Sequence, residues 1–135
     1  MIQIFDKKGF TALKTIDSPT LRDANLSGCE LVEANMIEYD LRNSRLKDAN
    51  LRNADLRLAR LDHADLRGAD LSNADLSGAN LSQARLQGAI LTDATLTDTQ
   101  LPTDFSQQQP GQSRLSSIRV SSDNVPSSVS PGKSE

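Results

Sequence analysis

A single His and a single Cys are the only residues here with ready acid, base or nucleophile chemistry at neutral pH, and neither is set in a catalytic pattern. His63 stands beside Asp62 and two residues before Asp65, an arrangement that could orient an imidazole as a general base. No nucleophile or set of oxyanion donors is grouped with it, so it reads as a surface imidazole. Cys29 has no second Cys with which to pair and no cation placed to activate its thiol. Pro131-Gly132-Lys133-Ser134 superficially matches the end of a phosphate loop, but Ser127 stands where the first Gly is needed. No metal-ligand spacing is present, and the neighbouring carboxylates of Asp55 and Asp75 make a weak cation site without a cage. The chain is expected to be no enzyme, with no cofactor and no metal.

Charge offers a second chemistry. Arg42, Lys47, Arg52 and Arg57 recur every five residues and predict a basic belt, with Asp40, Asp48 and Asp55 to neutralise it. Positive charges spread around a belt, with no aromatic stacking platform, are not the pattern of a nucleic-acid site. With a net charge of −3 and 36% hydrophobic residues, the chain reads as one globular repeat domain. No stretch has the length or apolarity of a signal peptide or membrane span, so a cytoplasmic, non-membrane protein is expected.

The element that must position all these residues is a repeat. From Leu21 to Leu101 every fifth residue is apolar, usually with Ala two places before it. Five residues turn a helix through about 500°, which would scatter the leucines around its surface. A continuous strand fails as well, because an odd spacing sends successive side chains to opposite faces. The chain must therefore turn within every unit. Ala and Leu, two apart, point inward from a short extended piece, and the next two residues make a corner. Gly28, Gly68, Gly78 and Gly88, with Asn43, Asn53 and Asn73, share the second corner place and suit a positive φ there. Right-angle corners close a coil after four units, so residues twenty apart stack at about 4.8 Å. The seventeen apolar positions then form about four coils, roughly 20 Å long.

In the fifteen units from Ala24 to Asp98, Ala fills the first place in twelve, Asp or Asn the second in nine, and Leu the third in fourteen. Cys29, Tyr39 and Ser44 depart in the Ala place, and Met36 departs in the Leu place. This run resembles the pentapeptide-repeat family. The resemblance implies an all-β fold, a right-handed quadrilateral parallel β-helix, here with an N-terminal β-hairpin cap. Residues 1–18 are expected to form that cap, 19–102 the β-helix and 103–135 a polar, disordered tail in which Phe105, Leu115 and Ile118 could fold back as a lid.

Stacking by twenties predicts outward columns. Asn25, Arg45, Asp65 and Arg85 alternate in charge, and Asp40 lies beneath Arg60, as structural ladders would. Val32, Ile37 and Leu58 are expected to face solvent, the last two on one side. Tyr39 must either widen its coil or turn its ring outward. The most economical function is a rigid scaffold for an unidentified protein partner, as a monomer or end-to-end homodimer, with Ile37, Leu58, Arg42, Lys47, Arg52 and Arg57 as the candidate surface. The family resemblance supplies an alternative, imitation of DNA toward DNA gyrase. Residues 21–101 carry thirteen acidic and nine basic side chains, a net of −4, whereas duplex DNA of about 20 Å carries about twelve negative charges.

Overall fold

A computed structural model describes residues 1–108 and 119–120. The chain winds as a right-handed quadrilateral parallel β-helix whose core is a column of leucines and alanines. The aliphatic residues from Leu26 to Leu96 in the Leu place are at most 1% exposed, and so are the alanines from Ala34 to Ala94. Parallel bridges join residues twenty apart on every wall: Asn25 to Arg45, Glu30 to Asn50, Asn35 to Asp55, Asp40 to Arg60, and so on to Asn80 and Gln100.

Each corner is a type II turn. The residue in the Ala place donates its N–H to the preceding core residue's carbonyl, as Ala54 does to Leu51 at 3.0 Å, and the second corner residue takes a positive φ. All sixteen second-corner residues from Asp23 to Asp98 have φ between 57° and 77°. The other N–H groups are accounted for as regularly. The core residue and the second corner residue donate to the next coil, and the middle residue donates to the coil before, as Leu66 does to Arg85, Gly68 to Gln87 and Asp65 to Ser44. The first corner residue's N–H cannot reach another coil, and a middle Asp or Asn accepts it: Asp70 from Ser72, Asp75 from Ser77 and Asn80 from Ser82, at 2.9–3.0 Å. This Asx turn is why the middle place favours Asp and Asn.

β1 (Ile2–Phe5) and β2 (Ala12–Ile16) form an antiparallel hairpin. It seats under the first coil: Ile4 is fully buried, Asn35 donates to the Phe5 carbonyl and Lys7 to that of Glu33, both at 2.8 Å. At the other end, β3 (Thr95–Leu96) precedes a one-turn helix, α1 (Phe105–Gln108), and β4 (Arg119–Val120) adds a parallel rung beside β3. Phe105 is 1% exposed over the last coil. Gln108 uses its side-chain amide as a substitute peptide group, accepting from Leu86 N–H and donating to the Ala84 carbonyl, where a further coil would otherwise bond. Part of the segment expected to be a disordered tail is therefore ordered by the edge it covers. Leu115, Ile118 and the Pro131–Ser134 sequence fall outside the described residues.

Two departures in the Ala place are absorbed differently. Thr99 is fully buried and donates its hydroxyl to the Leu76 carbonyl at 2.7 Å. Ser44, equally buried, has no hydrogen-bond partner for its Oγ, a polar atom in a place built for a methyl group.

Candidate functional site

The walls are the product of backbone pairing, so what distinguishes one face from another is the pair of corner residues on each unit. The corner between the Asp55 and Arg60 walls is the exception among them. Fifteen of the sixteen second-corner places hold Gly, Asn, Asp, Glu, Gln or His, and the remaining one holds Leu58, at φ 62°. A branched apolar side chain in the left-handed region costs on the order of 1–3 kcal/mol, and nothing buries this one in return. Leu58 is 54% exposed.

Leu58 forms the floor of a groove of 360 Å³ with Ile37, Arg57, Ser77, Gly78 and Asp98. Two adjacent columns build it, 37-57-77 and 58-78-98. A Cβ at Gly78 would lie 2.7 Å from Leu58 Cδ2, so the leucine leans onto the next coil through space that only Gly leaves open. Ile37 is half-buried rather than solvent-facing as its place in the repeat suggested, because it packs into this groove. Val32 and Ile90 are exposed, 37% and 41%, away from it. Of the six residues singled out from sequence, Ile37, Leu58 and Arg57 come together, while Arg42, Lys47 and Arg52 occupy the other three corners of their coil. Gly78, Ser77 and Asp98 were missed; adding twenty and forty to 58, and forty to 37, would have found them.

The belt is half neutralised. Arg42 pairs with Asp40 and Arg57 with Asp55, each as a two-pronged bond with Nε and Nη2 at 2.7–2.8 Å; Arg67 and Asp65 repeat the geometry one coil higher. Lys47 and Arg52 form no ion pair among the described residues. These pairs correct the ladder expectation. Asp65 bonds to Arg67 within its own unit, not to Arg45 or Arg85 in its column, and Asp40 bonds to Arg42, not Arg60. The reason is reach: a guanidinium at the first corner lies flat against the carboxylate two residues earlier, which is already turned that way by accepting the corner N–H.

The hydrogen bond from Arg42 is the main cause that lowers the Asp40 carboxyl to about 2, with burial opposing it, and the Arg57 and Arg67 side chains lower Asp55 and Asp65 in the same way. Because the folded values lie below the ordinary 3.8, the pairs stabilise the fold fully above that value and lose their contribution as pH falls toward 2. The thermal midpoint should be level above about pH 5 and drop between pH 4 and 2. Asp55→Asn and Asp65→Asn together should flatten that drop; an unchanged slope in this double variant would show that other carboxylates govern it. Each pair is partly solvated, so the effect per pair is modest.

His63 is exposed and shares a 3.0 Å hydrogen bond with Gln83 directly above it. Cys29 is a partly buried free thiol in the first coil. Among the described residues no group of three or more His, Cys, Asp or Glu could hold a metal, and no helix is long and apolar enough to cross a membrane.

The family model for pentapeptide repeats matches residues 21–57 and 59–98 in eight copies, leaving Leu58 alone between them. The chain belongs to the pentapeptide-repeat family. This pentapeptide-repeat protein matches no curated protein. Among solved structures it is similar to a pentapeptide repeat protein from the Arabidopsis thaliana thylakoid lumen, at 39% identity over 61% of this chain and 53% of that one, with a TM-score of 0.48. The chain thus spans about half that protein's length. It is also similar to the pentapeptide repeat protein Rfr23 from the cyanobacterium Cyanothece 51142, at 28% identity over 92% and 78% of the two chains, with a TM-score of 0.52. A third, from Nostoc Pcc 7120, is 33% identical over 74% and 86%, with a TM-score of 0.34.

Proposed function

We propose that this pentapeptide-repeat protein is a non-enzymatic scaffold that docks a protein partner along the Leu58 groove. The observation that carries this reading is the cost of Leu58: an exposed leucine held at φ 62°, in the place where every other corner uses Gly or a polar residue. Strain retained at an exposed apolar position is the mark of a contact surface. Ile37 and the Leu58 methyl groups offer apolar contact, with Arg57 and Asp98 at the margins for orientation. Val32 and Ile90 are exposed as well, but neither sits at a strained corner or lines this groove.

Leu58→Asn restores the usual corner chemistry, so the variant should unfold at the same or a higher temperature than the parent, by on the order of 1 kcal/mol of stability. It should also lose the partner. The test is capture from native lysate by the parent and the variant, alongside their thermal melts. A stable variant that captures the same protein would refute the groove as the docking site.

The alternative reading, imitation of DNA toward DNA gyrase, asks for a dense acidic surface. The paired Asp40, Asp55 and Asp65 dilute the field further. Gyrase supercoiling in excess protein is expected to be unchanged, and inhibition would favour the alternative.

A further inference from the structure

A second feature lies where the chain enters the rod. Elsewhere two backbone bonds join one rung to the next: the core residue's N–H reaches the middle residue nineteen ahead, and the middle residue's N–H reaches the residue twenty-one behind, as in Leu46 to Asp65 and Asp65 to Ser44. The equivalents at the start would be Leu21 N–H to the Asp40 carbonyl and Asp40 N–H to the Pro19 carbonyl. Neither forms among the described residues, although Asp23 already donates to the Arg42 carbonyl at 3.0 Å. The local turn bonds are made, Thr20 N–H donating to Ser18 Oγ and Arg22 N–H to Thr20 Oγ1, but neither involves the groups of the missing rung. One rung is unzipped.

The gap is a recess of 340 Å³. Its apolar walls are Ile2, Pro19, Leu21 and Tyr39, and Glu38 and Asp40 stand at its rim. Tyr39, the phenol in the Ala place, is one of these walls. Its backbone is regular, donating to Met36 and accepting from Arg60 at 2.8 Å, so the coil is not widened. The side chain is partly buried, packs against the core and lines the recess.

We propose that this recess is a second docking site, for an extended peptide segment of a partner protein bearing a lysine or arginine. The two bonding groups of Asp40, a donor and an acceptor on one ladder edge, are what an added strand pairs with. The apolar walls with an aromatic ring suit the stem of a long side chain, and the rim suits its charge. Asp40 is already bonded to Arg42, so Glu38, exposed and without an ion pair among the described residues, supplies the open charge.

The test uses the full-length, isotope-labelled chain and two probe peptides, acetyl-Ser-Val-Lys-Val-Ser-amide and its counterpart with Glu in place of Lys. The lysine peptide should shift the amide resonances of Leu21, Tyr39 and Asp40 and slow exchange of the Asp40 amide proton. The glutamate peptide and the Glu38→Gln variant should each bind about two- to fivefold more weakly, the size of one partly solvated ion pair. Tyr39→Ala places the repeat's own residue there, so it should remain folded, remove the aromatic wall and abolish the response. Leu58→Asn should leave the response intact, which separates this site from the groove. Absence of shifts at millimolar peptide, equal response to both peptides, or a response lost in Leu58→Asn would each overturn the proposal.

Discussion

Replacing Leu66 with Ala is expected to lower the unfolding free energy by about 2–5 kcal/mol. Leu66 is fully buried at mid-rod, in one column with Leu46 and Leu86, and is held from above and below by coils whose backbones are hydrogen-bonded to each other. They cannot collapse into the cavity without breaking the pairing that sets their spacing, so the loss should fall in the upper part of that range. Leu101, 6% exposed at the end of a neighbouring column above Leu81, has a coil on one side only, and Leu101→Ala should cost distinctly less. Urea titration followed by circular dichroism measures both, and equal losses at the two positions would contradict the stacked, nearest-neighbour account of stability.

A chain ended at Leu101 should self-associate where the full-length chain does not. The removed segment holds Phe105, whose burial contributes about 1.5–3 kcal/mol, and Gln108, whose amide closes the last rung on one wall. It also holds β4, which pairs with Thr95 and Leu96 on another. Without them the rod ends in bare leucines and open strand edges, the arrangement that recruits another chain. Light scattering against concentration reads the result. Phe105→Ala in the full-length chain should reproduce the loss of stability, and Gln108→Ala should weaken the cap without exposing the leucines. A shortened chain that stays monomeric and equally stable would show that the segment is no cap.

The two docking proposals differ in how visible they are in the chain. Leu58 is apparent as an apolar residue in a corner place, and its exposure follows from the five-residue period alone. Its partner Gly78 is apparent only once residues are stacked by twenties. The recess at Tyr39 is less accessible still. A phenol in the Ala place signals a local irregularity, but the two missing bonds at Asp40 depend on how residues 18–21 approach the first coil, which no periodicity specifies.

The wound core, its inward leucines and alanines, and the positive φ at each corner were all determined by the order of residues. A period of five leaves the backbone few ways to keep every leucine dry, and each repeat supplies its own turn. Tertiary structure alone decided which charges pair, because Asp40, Asp55 and Asp65 could bond along the chain or up the column. The geometry of the Asx turn settled it in favour of the neighbour two residues away. It alone also decided the ends of the rod. There no coil continues the ladder, and whichever nearby groups reach the open edge, such as Phe5, Lys7 and the Gln108 amide, take its place.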